Sequence, residues 1–251
     1  PGVLLGLLML VLVREPKRGG LDVIADGSAE HPAAPPIHKA IAAFFGNRTL
    51  VLTGVSSAMS AFVGYAGLVW NPQFLENAKG MAASDVATYY ALALGVTGIV
   101  GTVASGWLVD RLGHKDKRWF AWVPAIAFTL SIPFWFGMLW APTWEMAMLM
   151  LLGPMLMNQA YLAPALTVAQ NAVPPAQRTM TGAILLFILN IVGLGVGPVY
   201  VGWIADRMEP VHGDQALVYG YAGVIPFVLL TVVAHLAASW SIGRDRRLAA
   251  A

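Results

Sequence analysis

The stretch Gly106-Trp107-Leu108-Val109-Asp110-Arg111-Leu112-Gly113-His114-Lys115 gathers charge directly behind an apolar run. A near copy, Gly202-Trp203-Ile204-Ala205-Asp206-Arg207, returns 96 residues later at the end of another such run. A charged knot closing an apolar run is where a membrane-crossing chain leaves the bilayer. Its recurrence indicates that one structural plan is used twice. Each part has a physical use. Gly106 carries no side chain to hold a neighbouring helix away, Asp110 can face the positive N-terminal end of another helix, and Gly113 allows a tight turn into the next span.

Of the 251 residues 58% are hydrophobic and 11% charged, against about a quarter charged in a soluble globular chain. The mean hydropathy is +0.68. The apolar runs are long, continuous and not alternating, so the fold class is an all-α membrane protein and spanning strands are excluded. A hydrocarbon core of about 30 Å takes about 20 apolar residues per helix. Such runs lie near 49–70, 84–109, 119–140, 144–170 and 176–204, and a sixth, shorter in its apolar part, lies near 216–241.

Residues 1–13 are apolar but too short to cross, and their basic neighbours Arg14, Lys17 and Arg18 follow the run, the reverse of a secretory signal. They read as the end of a truncated transmembrane helix. Residues 14–48 read as a cytoplasmic linker, polar up to Pro36 and then a short amphipathic helix with Lys39 and Arg48 on its wet side. Residues 242–251 read as a cytoplasmic tail. With six spans, thirteen Lys and Arg fall on the linker side and only Lys79 and Arg207 on the other. That imbalance makes the linker side and the C-terminus cytoplasmic. Grouped as triplets 49–140 and 144–241, the two charged motifs close the middle helix of each triplet at opposite faces, Asp110 inside and Asp206 outside. The arrangement is an inverted 3+3 helix repeat in a six-helix bundle.

Polar residues inside the spans are few. Thr53, Ser57, Ser60, Gly64 and Gly67 share one stripe of the first span, which either lines a cavity or permits close packing. Gly95, Gly98, Gly101 and Ser105 recur at three- and four-residue steps and read as a packing face. Trp70-Asn71-Pro72 reads as the outer end of the first span, and the third span carries Trp119, Trp122, Trp135 and Trp140 at its two ends. Asn158, Gln159 and Tyr161 sit at mid-membrane, where amides must face protein or water. Pro154 and Pro164 permit that helix to bend. Asn190 is the strongly polar group deep in the fifth span, either a cavity contact or an interhelical bond, while His235 reads as a structural group. The expected substrate contacts are Asn158, Tyr161 and Asn190, with Thr53, Ser57 and Ser60 as weaker ones. Gly106, Asp110, Arg111, Gly113 and Lys115 are the expected conformational latch.

Other functions fit poorly. There is no cysteine, no H-E-x-x-H and no G-x-S-x-G, so neither an enzyme nor a metal or other cofactor is expected. The basic residues follow topology instead of forming a patch, which disfavours nucleic acid.

The motif around Asp110 resembles the loop G-x-x-x-D-R-x-G-R/K-R/K of the major facilitator superfamily, matched at Gly106, Asp110, Arg111, Gly113 and Lys115 with His114 at a usually basic position. Arg14-Glu15-Pro16-Lys17-Arg18-Gly19, Trp70-Asn71-Pro72-Gln73-Phe74 and Phe187-Ile188-Leu189-Asn190 followed by Gly195-Val196-Gly197-Pro198 resemble the C-terminal half of its spinster-like branch. The resemblance implies a half carrier whose partner is a missing N-terminal half, working by alternating access in a bacterial inner membrane. It implies a lysophospholipid or similar amphiphile as cargo and a proton gradient as the driving force, with membrane lipids as surroundings. The alternatives are an exporter of drugs, an importer of small organic anions, and a truncated membrane module that transports nothing.

Overall fold

The computed structural model describes residues 2–12, 36–245 and 248. The linker reading at Arg14, Lys17 and Arg18 and the tail reading at Arg246 and Arg247 lie outside these residues. The helices are α1 (Gly2–Leu12), α2 (Ile37–Gly46), α3 (Arg48–Gln73), α4 (Ala83–Asp85), α5 (Ala91–Gly113), α6 (Trp119–Trp140), α7 (Trp144–Asn158), α8 (Leu162–Asn171), α9 (Arg178–His212), α10 (Ala216–Ala222) and α11 (Ile225–Ile242). No strand occurs among the described residues. Among the described residues five stretches are long and apolar enough to cross a membrane, and the last of them, Pro175–Ile242, turns back at Gly213 so that α9 and the α10–α11 pair make separate passes.

Several boundaries differ from the sequence expectation, each for a local reason. Arg48 opens α3 instead of closing the amphipathic helix, because the Asn47 side chain accepts from Thr49 N at 2.9 Å and Leu50 N at 3.3 Å and so starts a new helix. Pro72 does not stop the first span: α3 runs through it and widens into a π-helical turn over Phe74–Ala78. The fourth run is broken outright at 159–161, leaving α7 and α8 as separate pieces. The sixth is split before Ile225, where Pro226 sits in the first turn of α11. α9 runs through Pro198 and Pro210 for 35 residues, about 52 Å, well over the hydrocarbon thickness.

Contacts fix the helix directions. Gly197 of α9 lies on Phe62 and Gly202 on Trp70, so α3 and α9 run the same way. Tyr89, just before α5, meets Trp144 at the start of α7 and Gly101 lies on Leu156 and Gln159 at its end, so these two also run alike. α11 pairs His235 with Ser60 and Ser241 with Thr49, antiparallel to α3. α6 meets α7 antiparallel, with Gly137 at Met150 and Gly153 at Phe134. Since α3 and α5 are consecutive passes, α5 and α9 point in opposite directions and carry their D-R motifs to opposite faces. Their buried stripes match position for position: Ala93, Thr97, Gly101, Ser105 and Val109 on α5, and Leu189, Gly193, Gly197, Val201 and Ala205 on α9, at a constant offset of 96. The inverted repeat therefore includes the packing face as well as the motif.

The stripe also sorts the glycines. A Cβ at Gly101 would stand 2.5 Å from the Leu156 carbonyl oxygen and one at Gly197 would stand 2.6 Å from that of Phe62. Nothing lies within 4 Å of such an atom at Gly95, Gly98 or Gly106. The packing role expected of those three is corrected accordingly: they face outward on α5. After the last turn of α3, Lys79 Nζ donates to the Leu139 and Ala141 carbonyls at 2.9 and 3.0 Å and closes α6, while partial burial lowers its ammonium pKa. Gly197→Ala should cost about 1–3 kcal/mol, whereas Gly195→Ala, with nothing within 4 Å, should cost none. Thermal unfolding of the two variants in detergent checks the contrast, and equal melting temperatures would dismiss backbone contact as the constraint.

Candidate functional site

A cavity of about 220 Å³ opens between α3, α5, α6 and α7. α3 contributes Gly64, Tyr65, Leu68 and Asn71, α5 and the turn before it contribute Leu94 and Tyr90, and α6 contributes Trp135. Pro154, Met155, Asn158, Gln159 and Tyr161 supply the wall at the α7–α8 break. No Asp, Glu, Lys, Arg or His is among the described residues that line it. Its polar groups are three amides, at Asn71, Asn158 and Gln159, and three phenols, at Tyr65, Tyr90 and Tyr161.

Local structure explains how these groups reach the wall. The α7–α8 break turns Asn158 and Tyr161 inward, and Asn158 Nδ2 donates to the Ser60 carbonyl at 3.2 Å. Gly64 makes this possible: the Asn158 amide occupies the space a side chain there would fill. At the C-terminal end of α3 Asn71 accepts from the Tyr221 hydroxyl at 2.6 Å and donates to the Tyr90 oxygen at 3.4 Å. One amide thereby ties α3, α10 and the π turn Val86–Tyr90 together. Trp70, one residue earlier, donates from Nε1 to the Pro198 carbonyl at 2.8 Å.

The structure brings Asn158 and Tyr161 onto the cavity wall. Asn190 stands one side chain behind it: exposed on α9, it donates to the Leu186 carbonyl at 2.8 Å and accepts from the Tyr65 hydroxyl at 3.3 Å. Thr53, Ser57 and Ser60 lie elsewhere, buried in the seam between α3 and α11. Ser60 Oγ is 2.9 Å from His235 Nε2, and Thr53 and Ser57 border a void of about 10 Å³ beside the same histidine. Small residues there let α11 approach α3 closely. The structure adds Tyr65, Asn71, Tyr90 and Gln159 to the wall. The sequence marked Asn71 only as part of a helix end, because an amide beside a proline resembles a terminus when the helix is assumed to stop.

The latch residues occupy the last two turns of α5 and the loop after it. Asp110 is exposed, and among the described residues it forms no ion pair. Arg111 lies over the Trp107 ring at 5.3 Å, and the repeat copy places Arg207 over Trp203 at 3.9 Å. Gly113 has no positive φ: it is helical and buried, and a Cβ on it would be 2.8 Å from Phe120. It permits close approach of α6, not the turn expected of it. The turn is made by Leu112, whose carbonyl accepts from Lys115 N at 3.0 Å and Asp116 N at 3.3 Å.

The family model of the Major Facilitator Superfamily matches residues 1–198. The chain is 30% identical over 190 residues to an MFS-type efflux pump of Mycolicibacterium smegmatis, covering 74% of this chain and 44% of the pump. It is 25% identical over 230 residues to Protein spinster homolog 1 of Homo sapiens, covering 83% and 42%. Against the crystal structure of a bacterial homolog to the human lysosomal transporter Spinster, inward-facing and unoccupied, it gives a TM-score of 0.76 at 23% identity, covering 98% of this chain and 58% of that one. The chain thus spans less than half the length of these two curated relatives. With its helices arranged as half of such a fold and the family model matched over most of its length, this chain belongs to the Major Facilitator Superfamily, with a likeness to its spinster-like members.

Proposed function

We propose that the chain is the C-terminal six-helix half of a secondary active transporter that moves a lysophospholipid or similar amphiphile by alternating access. The observation that carries this reading is the cavity wall: an apolar surface with amides and phenols and no fixed charge. Such a wall accommodates an acyl chain and offers hydrogen bonds to a head group without demanding an anion. Asn158 and Tyr161 act as direct contacts, and Asn190 acts through Tyr65. The partner is an N-terminal half, which also supplies the groups for proton coupling, since the cavity wall holds no carboxylate. The Lys and Arg distribution supports an inner-membrane carrier with a cytoplasmic C-terminus.

Efflux of apolar compounds is the second reading, favoured by the identity to the mycobacterial pump. Import of small anions is less well supported. The Glycerol-3-phosphate transporter of Bacillus subtilis is 24% identical over 257 aligned positions, yet this cavity wall has no cation. In each case the family's work is transport and not catalysis.

Asp110, Arg111 and Lys115 form the latch in this reading, with Gly106 and Gly113 as their small neighbours. The exposed carboxylate docks on a helix N-terminus of the other half in one conformation and parts from it in the other. Asp110→Asn is expected to change the transport rate about two- to fivefold, the worth of one carboxylate at a helix dipole, with membrane insertion unaltered. An unchanged rate removes the latch.

Asn158→Ala should weaken substrate binding about two- to tenfold, as for a lost hydrogen bond, while Ser57→Ala leaves affinity unchanged. The reverse pattern in a binding isotherm would move the site to the α3–α11 seam. Labelled lysophospholipid uptake into proteoliposomes by the complete carrier, with and without a pH gradient, tests the cargo. Gradient-dependent uptake is expected. None from a folded, inserted carrier would withdraw the lipid assignment.

A further inference from the structure

At the inner end of α11 two arginines converge on one indole. Arg244 Cζ lies 3.7 Å from the centroid of the Trp240 ring and Arg48 Cζ lies 4.5 Å from it. The guanidiniums come from helix ends far apart in sequence. They are held in register by the Thr49 and Ser241 hydroxyls, which are 2.9 Å apart and buried. Two like charges within about 8 Å repel at a range comparable to the screening length in physiological salt. Stacking on the ring face offsets part of this. Yet among the described residues neither guanidinium donates a hydrogen bond or joins an ion pair, and both side chains are exposed. Of the acids near this end, Asp116 faces Arg118, whose Nε is 4.0 Å from its Oδ2, and Asp245 is not free.

Depth and shape narrow what these unspent donors meet. Below Trp240 the exposed face of α11 continues as Leu236, Val233 and Leu229, an apolar ladder with about one turn per step. At the same end, α2, which packs on α3 and α9, turns Ile37, Ile41 and Phe45 outward while Ala40 and Phe44 pack inward, as for a helix lying in the interface. The arginine pair therefore stands at head-group level directly above a greasy track.

We propose that Arg48, Trp240 and Arg244 form a binding site for an anionic phospholipid, its phosphate held by the two guanidiniums and an acyl chain laid along Leu236, Val233 and Leu229. The phosphate supplies acceptors for the planar N–H edges and cancels the mutual repulsion. The site lies on the outside of the bundle, on α3 and α11, and none of its residues borders the transport cavity. A bound lipid would tie the start of α3 to the end of α11.

The test is native mass spectrometry and thermal unfolding of the complete carrier with phosphatidylglycerol and phosphatidylcholine of identical chains. The wild type should retain phosphatidylglycerol preferentially and be stabilised by it. Removing both charges in Arg48→Gln/Arg244→Gln should weaken phosphatidylglycerol binding about twenty-five-fold, roughly fivefold per charge, and leave phosphatidylcholine binding as it was. Trp240→Leu, which keeps both charges, should weaken it as well, and it reads the same outcome if the double variant folds poorly. Arg178→Gln, a basic residue elsewhere on the same side, should have no effect. A double variant that keeps the lipid preference, or an equal loss in Arg178→Gln, overturns the site. Equal stabilisation by inorganic phosphate alone overturns the lipid and leaves a small-anion site.

Discussion

Backbone-close packing of helices is the constraint on which the rest of this structure depends. Inside a bilayer no hydrophobic force drives one apolar helix against another, so association rests on close van der Waals contact and a few hydrogen bonds. α5 and α9 meet this with the same buried four-residue stripe, read in opposite directions across the membrane. The stripe leaves no room for a Cβ at Gly101 or at Gly197. Everything that faces the cavity is hung on helices fixed in this way.

The hydrogen bonds that supplement this packing are concentrated where helices are irregular. Asn71 works beside Pro72 and Asn158 works at the α7–α8 break, positions where the backbone ladder is already interrupted. A side-chain amide there finds partners across the helix gap, to Tyr221, Tyr90 and the Ser60 carbonyl. The cavity is therefore a consequence of the breaks: where prolines and π turns pull helices out of line, the packing opens and polar side chains fill its border. The same irregularity that makes room for a ligand supplies the groups that would orient it.

The all-helical class, the long apolar spans and the inverted repeat were legible in the sequence because they rest on run length and on the recurring Trp-x-x-Asp-Arg. The fate of each proline was not. Pro72, Pro198 and Pro210 were absorbed within helices while the break fell near Pro164, and only the neighbours decide whether a lost bond is made up by a wider turn or by a stop. Half of the site was readable for a related reason. An amide at mid-membrane must meet something polar, which places Asn158 on a wall or an interface. Hydroxyls are small and demand less: Ser60 satisfies itself on the Ser56 carbonyl of its own helix at 2.9 Å, and the Thr53 and Ser57 hydroxyls are buried with no partner among the described residues, so the three gave no directional information. Glycines were ambiguous in the same way: Gly98 and Gly101 look alike in sequence, and only the register of the stripe separates them.

The two D-R motifs show what a repeat does and does not carry over. Both stack arginine on the preceding tryptophan, a contact local to one helix turn and so preserved by sequence alone. Their C-terminal continuations differ. After Asp110 the helix ends within a turn at Gly113, pressed on Phe120, and the chain re-enters as α6, whereas after Asp206 α9 continues to His212. A carboxylate next to a tight helix-to-helix turn is held at a fixed height on its face of the bundle. After Asp206 the helix runs on with Met208 against the core and His212 stacked on Tyr219 at 4.1 Å, so α10 and not a following tight turn fixes that carboxylate. Identical residues thus sit beside a tight corner in one copy and within a continuing, packed helix in the other.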